Sequence, residues 1–174
     1  VRKLLAKAFK LSESRGKDSS GVLTLDGNLI KILKAPIKST KLIKTLEYKR
    51  LLKNHFKNTK STSSCLIGHA RMVTNGNPET YENNQPVFKH DFGAVHNGII
   101  VNEKELRKRY ISHNKISDVD TEVFLDLLKT NIEKDDFTDS FKKSMNQING
   151  ANTIVAFSSF SNILNIATTN GSLY

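Results

Sequence analysis

A single cysteine, Cys65, is all the chain contains. An intrachain disulfide is therefore excluded, and a reducing, cytoplasmic compartment is the natural expectation. Cys65 lies in the apolar run Cys65-Leu66-Ile67, so it reads as a buried structural thiol rather than a nucleophile. No apolar run approaches the ~20 residues of a membrane-spanning helix, and no signal peptide is present. Zinc-ligand spacing is missing, as is the interleaving of aromatic and basic residues expected of a single-strand binder. There is no internal repeat and no low-complexity tract. The chain also lacks an initiator: it begins at Val1, and its only methionines are Met72 and Met145. It reads as a piece of something longer, cut at both ends.

What is present suits one domain with a real core. The chain has 174 residues, of which 37% are apolar. Its net charge is +10, dominated by lysine. Lys31, Lys34, Lys38, Lys41, Lys44, Lys49, Lys53, Lys57 and Lys60 alternate with apolar residues and form no block, which is the pattern of a solvated face. A basic nucleic-acid-binding module is the minor reading.

The stretch from Ile67 to Asn102 organises the rest. Two apolar runs, Cys65-Leu66-Ile67 and Phe92-Gly93-Ala94-Val95, read as strands feeding polar, glycine-bearing turns. The first turn is Arg71-Met72-Val73-Thr74-Asn75-Gly76; the second is His96-Asn97-Gly98. Between them, Asn77 to His90 carries no helical or strand period. Arg71 offers a rigid fork of donors suited to a carboxylate. Asn97 and Gly98 admit two readings. One is a type I′ hairpin turn, for which Asn-Gly is the strongest short signal. The other is a side-chain amide and an unshielded backbone N–H converging on one oxygen, as an oxyanion hole requires.

The flanking chain predicts alternating helices and hairpins. Val1 to Ser14 reads as a helix with Leu4, Ala8 and Leu11 on one face and Leu5 beside them, ended by Gly16. Ser20 to Leu25 is a strand, Asp26-Gly27 a turn, and Asn28 to Leu33 the partner strand. One helix is expected from Thr40 to Phe56, then a polar linker from Asn58 to Ser64. Asn102 should cap a helix over 103–110, with Glu105 as the capping-box acid. Ser117-Asp118 opens a helix whose buried stripe is Val123, Phe124, Leu127 and Leu128, with Asp120 near its start, where the helix dipole favours an acid. Asp136 to Asn149 is a further helix, closed by Gly150. Thr153 to Phe157 and Ile163 to Thr168 are strands joined by Ser158 to Asn162. The chain then stops at Asn170-Gly171-Ser172-Leu173-Tyr174. Hairpins separated by helix pairs point to an α+β fold.

Several short motifs, in order, resemble the class II glutamine amidotransferase domain, an N-terminal-nucleophile (Ntn) hydrolase. They are Ser14-Arg15-Gly16-Lys17-Asp18-Ser19-Ser20-Gly21, Gly68-His69-Ala70-Arg71 with Thr74 and Gly76, Asn84-Gln85-Pro86, His96-Asn97-Gly98-Ile99-Ile100, and Asp118-Val119-Asp120-Thr121-Glu122-Val123. The resemblance implies a four-layer αββα sandwich over residues 1–174, with antiparallel sheets between helical layers. It also implies hydrolysis of glutamine to glutamate and ammonia for transfer to an acceptor such as a sugar phosphate, without cofactor or metal. By that resemblance Asn97 and Gly98 hold the oxyanion, Arg71 binds the glutamine α-carboxylate with Thr74 beside it, and Asp120 binds the α-ammonium. The partners implied are glutamine and an acceptor domain, downstream in the same chain or on a partner subunit, and no membrane.

The family's nucleophile is a cysteine at the mature N-terminus, whose own α-amine (pKa about 7.7–8.0) serves as the base. Val1 is no nucleophile, so the cysteine-bearing strand is expected upstream, and the chain as written is expected to be inactive alone. The alternative is a non-catalytic glutamine-binding or regulatory domain. Met72 and Asn75 stand where the sugar-phosphate branch usually has Trp and His. Gln85-Pro86 is closer to the phosphoribosyl branch, and Asn97-Gly98-Ile99-Ile100 to the sugar branch. The ammonia acceptor is left open.

Overall fold

The computed structural model describes residues 1–27, 29–58, 64–110, 115–132, 136–161 and 163–169. The expectations that rest on Asn28, on most of the 58–64 linker, on Asn162 and on Asn170–Tyr174 lie outside these. Two compact units divide the chain at Pro86.

In the first unit, α1 (Arg2–Ser12) runs into a short 3-10 turn and then β1 (Ser19–Asp26), β2 (Leu29–Ala35), α2 (Ser39–Leu42), α3 (Leu46–Asn58) and β3 (Ser64–Arg71). The sheet is antiparallel with order β2-β1-β3. Side chains alternate across it. Val22, Leu33 and Leu66 share one face and pack with Phe9, Leu42, Tyr48 and Leu52 of the helices. Ser19, Gly21, Lys34, His69 and Arg71 occupy the register positions of the other face.

Three expectations change here. The buried anchor of α1 is Phe9 (3% exposed), whereas Leu4 and Leu11 are 70% and 68% exposed. Phe9 lies on Gly68, where a Cβ would stand 2.6 Å from the ring, so the glycine makes room for the aromatic side chain. The helix expected from Thr40 to Phe56 is two helices. Thr45 divides them: its hydroxyl donates to Leu42 O (2.8 Å) and accepts from Tyr48 N (3.2 Å), a side-chain cap that starts α3. Gly16 is extended (φ −163°) rather than left-handed. It is needed because a Cβ there would come within 2.4 Å of the Arg71 backbone.

The second unit contains β4 (Val87–Lys89), β5 (Phe92–Gly98), α4 (Glu103–Tyr110), α5 (Thr121–Ile132), α6 (Phe137–Gln147), β6 (Asn152–Ser158) and β7 (Leu164–Thr168). The sheet is antiparallel, in the order β4-β5-β6-β7. β4 lies inside the segment expected to be structureless. His90 and Asp91, both at positive φ (54° and 67°), join it to β5 while Lys89 pairs with Phe92, so a two-residue type I′ turn falls here. The first eight residues of α5 are all buried. Phe124 meets Phe141 of α6 edge-on at 5.5 Å, and Phe92 stacks on Phe137 at 5.9 Å. Asp136 caps α6 by accepting from Asp139 N (2.8 Å).

Asn102 departs from its expected side-chain cap. Its carbonyl accepts from Leu106 N, but its side chain bridges to the end of α6, donating to Gln147 O (2.9 Å) and accepting from Asn149 N (2.8 Å). At the start of α4 the observed ion pair is Glu103 with Arg107 (2.6 Å), one helical turn on.

Candidate active site

The sequence-marked residues fall in both units. In the first, β3 runs as far as Arg71, so the arginine closes a strand instead of opening a turn. Strand pairing fixes its backbone: Ser19 is its register partner, and Asp18 N donates to Arg71 O (3.1 Å). Asp18 also accepts from Val73 N (2.8 Å), which holds the chain that leads to exposed Thr74. The Arg71 side chain is 3% exposed. Its guanidinium donates to Asn75 O and, at 3.5 Å, to Asn84 Oδ1. Asn84 is itself held, donating to Pro78 O (2.6 Å) and Thr80 O (3.2 Å) and accepting at its carbonyl from Lys34 Nζ (2.8 Å). Burial pushes the Lys34 ammonium down to about 8, against the raising charge of Glu82, and the ammonium also lies 4.5 Å from the Tyr81 ring centroid.

In the second unit, Asn97 and Gly98 are the last residues of β5 and pair with Thr153 and Asn152 of β6. They do not form a hairpin turn. The first five residues of β5 are buried and Asn97 is exposed. Gly98 has φ +143°, and a Cβ there would stand 2.1 Å from Ala151 O, so only glycine fits.

Asp120 immediately precedes α5 and is 4% exposed. Its Oδ2 accepts from Ile100 N (2.8 Å), and its Oδ1 lies 3.3 Å from His96 Nδ1. The Asp120 carboxylate is therefore joined to the segment on either side of Asn97-Gly98. Burial alone would raise its pKa, but hydrogen bonding and charge from His96, with the backbone donors of Ile100 and Thr121, outweigh burial and hold it below the ordinary value. His96 Nε2 meets Asn152 Oδ1 at 2.9 Å, which ties the end of β5 to β6 a second time.

Glu122, in the first turn of α5, is fully buried. It accepts from Lys89 Nζ (2.6 Å), Ile116 N (2.8 Å) and Ser117 N (2.9 Å), and Arg107 lies 3.4 Å away. Burial would raise its pKa, yet Lys89 and the backbone donors bring it below the ordinary value. Lys89 also pairs with Asp126 (3.0 Å), and His90 with the same carboxylate (2.7 Å). This network anchors the chain on which Asp120 stands. His96, Asn84 and Glu122 stand within the motifs with nothing in the sequence to mark their roles, and Lys34 reads there only as part of a solvated face. An acid amid the apolar residues of α5, as Glu122 is, was the available signal for a buried ion pair.

Cys65 lies six residues before Arg71 on the same strand, about 20 Å away at ~3.3 Å per residue. Burial raises its thiol pKa. Both facts set it apart from a nucleophile acting beside Arg71. Among the described residues there is no cluster able to hold a metal, and no helix is long and apolar enough to cross a membrane.

Comparison with known proteins gives these residues a setting. A family model described as a glutamine amidotransferase domain matches residues 69–168. The chain is 31% identical over 157 residues to a glutamine–fructose-6-phosphate aminotransferase of Helicobacter pylori, covering 88% of this chain and 25% of that protein. The enzyme of the same name from Bradyrhizobium diazoefficiens is 36% identical over 130 residues, covering 74% and 20%. The chain thus spans about a quarter or less of the length of the curated relatives it matches. Among solved structures, the glutamine phosphoribosylpyrophosphate amidotransferase from B. subtilis matches with a TM-score of 0.68 at 21% identity, covering 94% of this chain and 34% of that one. The structure described as the allosteric regulatory enzyme of purine biosynthesis matches with a TM-score of 0.66 at 22% identity, covering 89% and 33%. The α+β, Ntn-hydrolase-like fold class expected from the sequence is thereby shown. With a family model covering more than half its length, this chain belongs to the glutamine amidotransferase family.

Proposed function

We propose that the chain is the glutaminase domain of an amidotransferase, releasing ammonia from glutamine for an acceptor in the same protein or a partner subunit. The observation that carries this reading is the end of β5. The strand buries five residues, then presents exposed Asn97 and a glycine at position 98 whose conformation and surroundings admit no side chain. Two donors carried on backbone that strand pairing fixes suit the oxyanion that forms when a thiolate attacks a carboxamide. Arg71 binds the α-carboxylate with Thr74 beside it, and Asp120, kept ionised by its donors, binds the α-ammonium. Requiring both charges selects a free amino acid, because a substrate lacking either forgoes one charge-assisted contact. The thiolate belongs to a terminal cysteine that these residues do not include. It attacks the amide carbon, ammonia leaves, and water hydrolyses the thioester to glutamate. A sugar phosphate is the acceptor class favoured by the names of the relatives.

The test is glutamate release by the full-length protein, with Arg71→Ala beside it. The reading expects the variant to lose glutamine use while ammonia-driven product formation persists. Unchanged glutamine kinetics would sink the role of Arg71. The second reading, a glutamine-binding domain without a nucleophile, is favoured by the position of the only cysteine at the far end of β3. Calorimetric binding of glutamine without turnover would move the conclusion there.

A further inference from the structure

Across the first unit's sheet, Lys34, Gly21 and His69 are register partners in one row, and Arg71 and Ser19 are register partners further along the same face. Gly21 leaves a gap in that row. The Asn84–Gln85 backbone lies in it: a Cβ on Gly21 would meet Gln85 O at 2.1 Å. The segment is clamped from the β2 side by Lys34 Nζ on Asn84 O (2.8 Å), and the Asn84 side chain reaches the Arg71 guanidinium on the β3 side (3.5 Å). Asn84 is buried, and its amide group is oriented by the Pro78 and Thr80 carbonyls, so Oδ1 faces the guanidinium.

We propose that Asn84, clamped by Lys34, is the positioning residue that aims the Arg71 guanidinium at the substrate carboxylate and thereby sets glutamine affinity. The inference rests on the glutaminase reading above. A neutral amide is the fitting group for the task. It accepts one guanidinium N–H without neutralising the charge, so the arginine keeps its attraction for a second, anionic partner. A carboxylate in the same place would take the fork for itself. Lys34 works from the β2 edge of the same face, since an ammonium on the Asn84 carbonyl fixes the height of the segment over Gly21.

The experiment compares glutamate release by the unaltered full-length protein with Asn84→Asp, Asn84→Ala, Lys34→Met and Lys34→Arg, each checked by thermal melting. Asn84→Asp is expected to raise the glutamine KM about 50-fold or more with kcat within about twofold, since the new carboxylate pairs with Arg71; it forgoes the donations to Pro78 O and Thr80 O, so melting serves to show that the variant folds. Asn84→Ala and Lys34→Met are expected to raise KM by about 5–20-fold, and Lys34→Arg to restore most of the loss. A merely structural role would lower stability in all four and leave KM unmoved in those that fold. Unaltered KM in a folded Asn84→Asp overturns the inference alone. Absence of both turnover and glutamine binding in the unaltered protein overturns the functional reading, and this inference with it.

Discussion

At the residue scale, the chemistry assigned to this chain depends on two donors and two charges. Replacing Asn97 by alanine removes one oxyanion donor and is expected to cut kcat for glutamine hydrolysis by about 10²–10³ with little change in KM; steady-state kinetics on the full-length protein check this. Lys34 gives a pH signature of its own. Its folded pKa, about 8, lies below its ordinary value, so the unfolded chain binds more protons between that pH and the unfolded pKa. Stability contributed through Lys34 therefore rises as pH increases above about 8. Cys65, Tyr48 and Tyr81, whose pKa values burial raises, act in the opposite sense above their own unfolded values. Comparison with Lys34→Met isolates the lysine. Urea unfolding at pH 7 and pH 9 should show the unaltered protein gaining on the variant; a constant difference would contradict the burial assigned to Lys34.

At the element scale, two connections hold helices in place. Glu13, at the end of the first helix, accepts from Thr40 N (2.7 Å) at the start of α2 and lies 3.5 Å from Lys38. Those donors, Thr40 first, lower its pKa to about 2. The stability it contributes is complete above pH 4.5, the ordinary value, and is lost as pH falls through that value toward about 2. Glu13→Gln should flatten acid unfolding in that window, as read by circular dichroism against pH. In the second unit, Glu122→Ala leaves Lys89 and Arg107 short of their buried partner and frees the Ile116 and Ser117 amides. A loss of about 3–5 kcal/mol in urea unfolding is expected, since breaking one side of a buried ion pair strands the other. Continued pairing of Lys89 with Asp126 sets the lower end of that range.

At the scale of the whole molecule, the sequence made the α+β class, nearly every element and the motif residues legible. It misled where local signals compete. Asn97-Gly98 carries a strong hairpin dipeptide, yet β6 pairs across it and takes the backbone as strand; a type I′ turn forms instead at His90-Asp91, which has no glycine. Thr45 splits a helix whose apolar period runs straight through it, because a hydroxyl cap outcompetes propensity at that point. Leu4 and Leu11 matched the helical period, but Gly68 made room for Phe9 instead. Partnerships between distant segments, such as Lys34 with Asn84 or His96 with Asp120, leave no periodic trace at all.

The measurement that bears most directly on the glutaminase reading is glutamate release from glutamine by the full-length protein, run in parallel with Arg71→Ala and with ammonia supplied in place of glutamine. The account predicts turnover by the unaltered protein and an increase of about 100-fold or more in glutamine KM on losing the charge-assisted carboxylate contact, with ammonia use intact. An unaltered protein that neither hydrolyses nor binds glutamine, or an Arg71→Ala variant with unchanged glutamine kinetics, would contradict it.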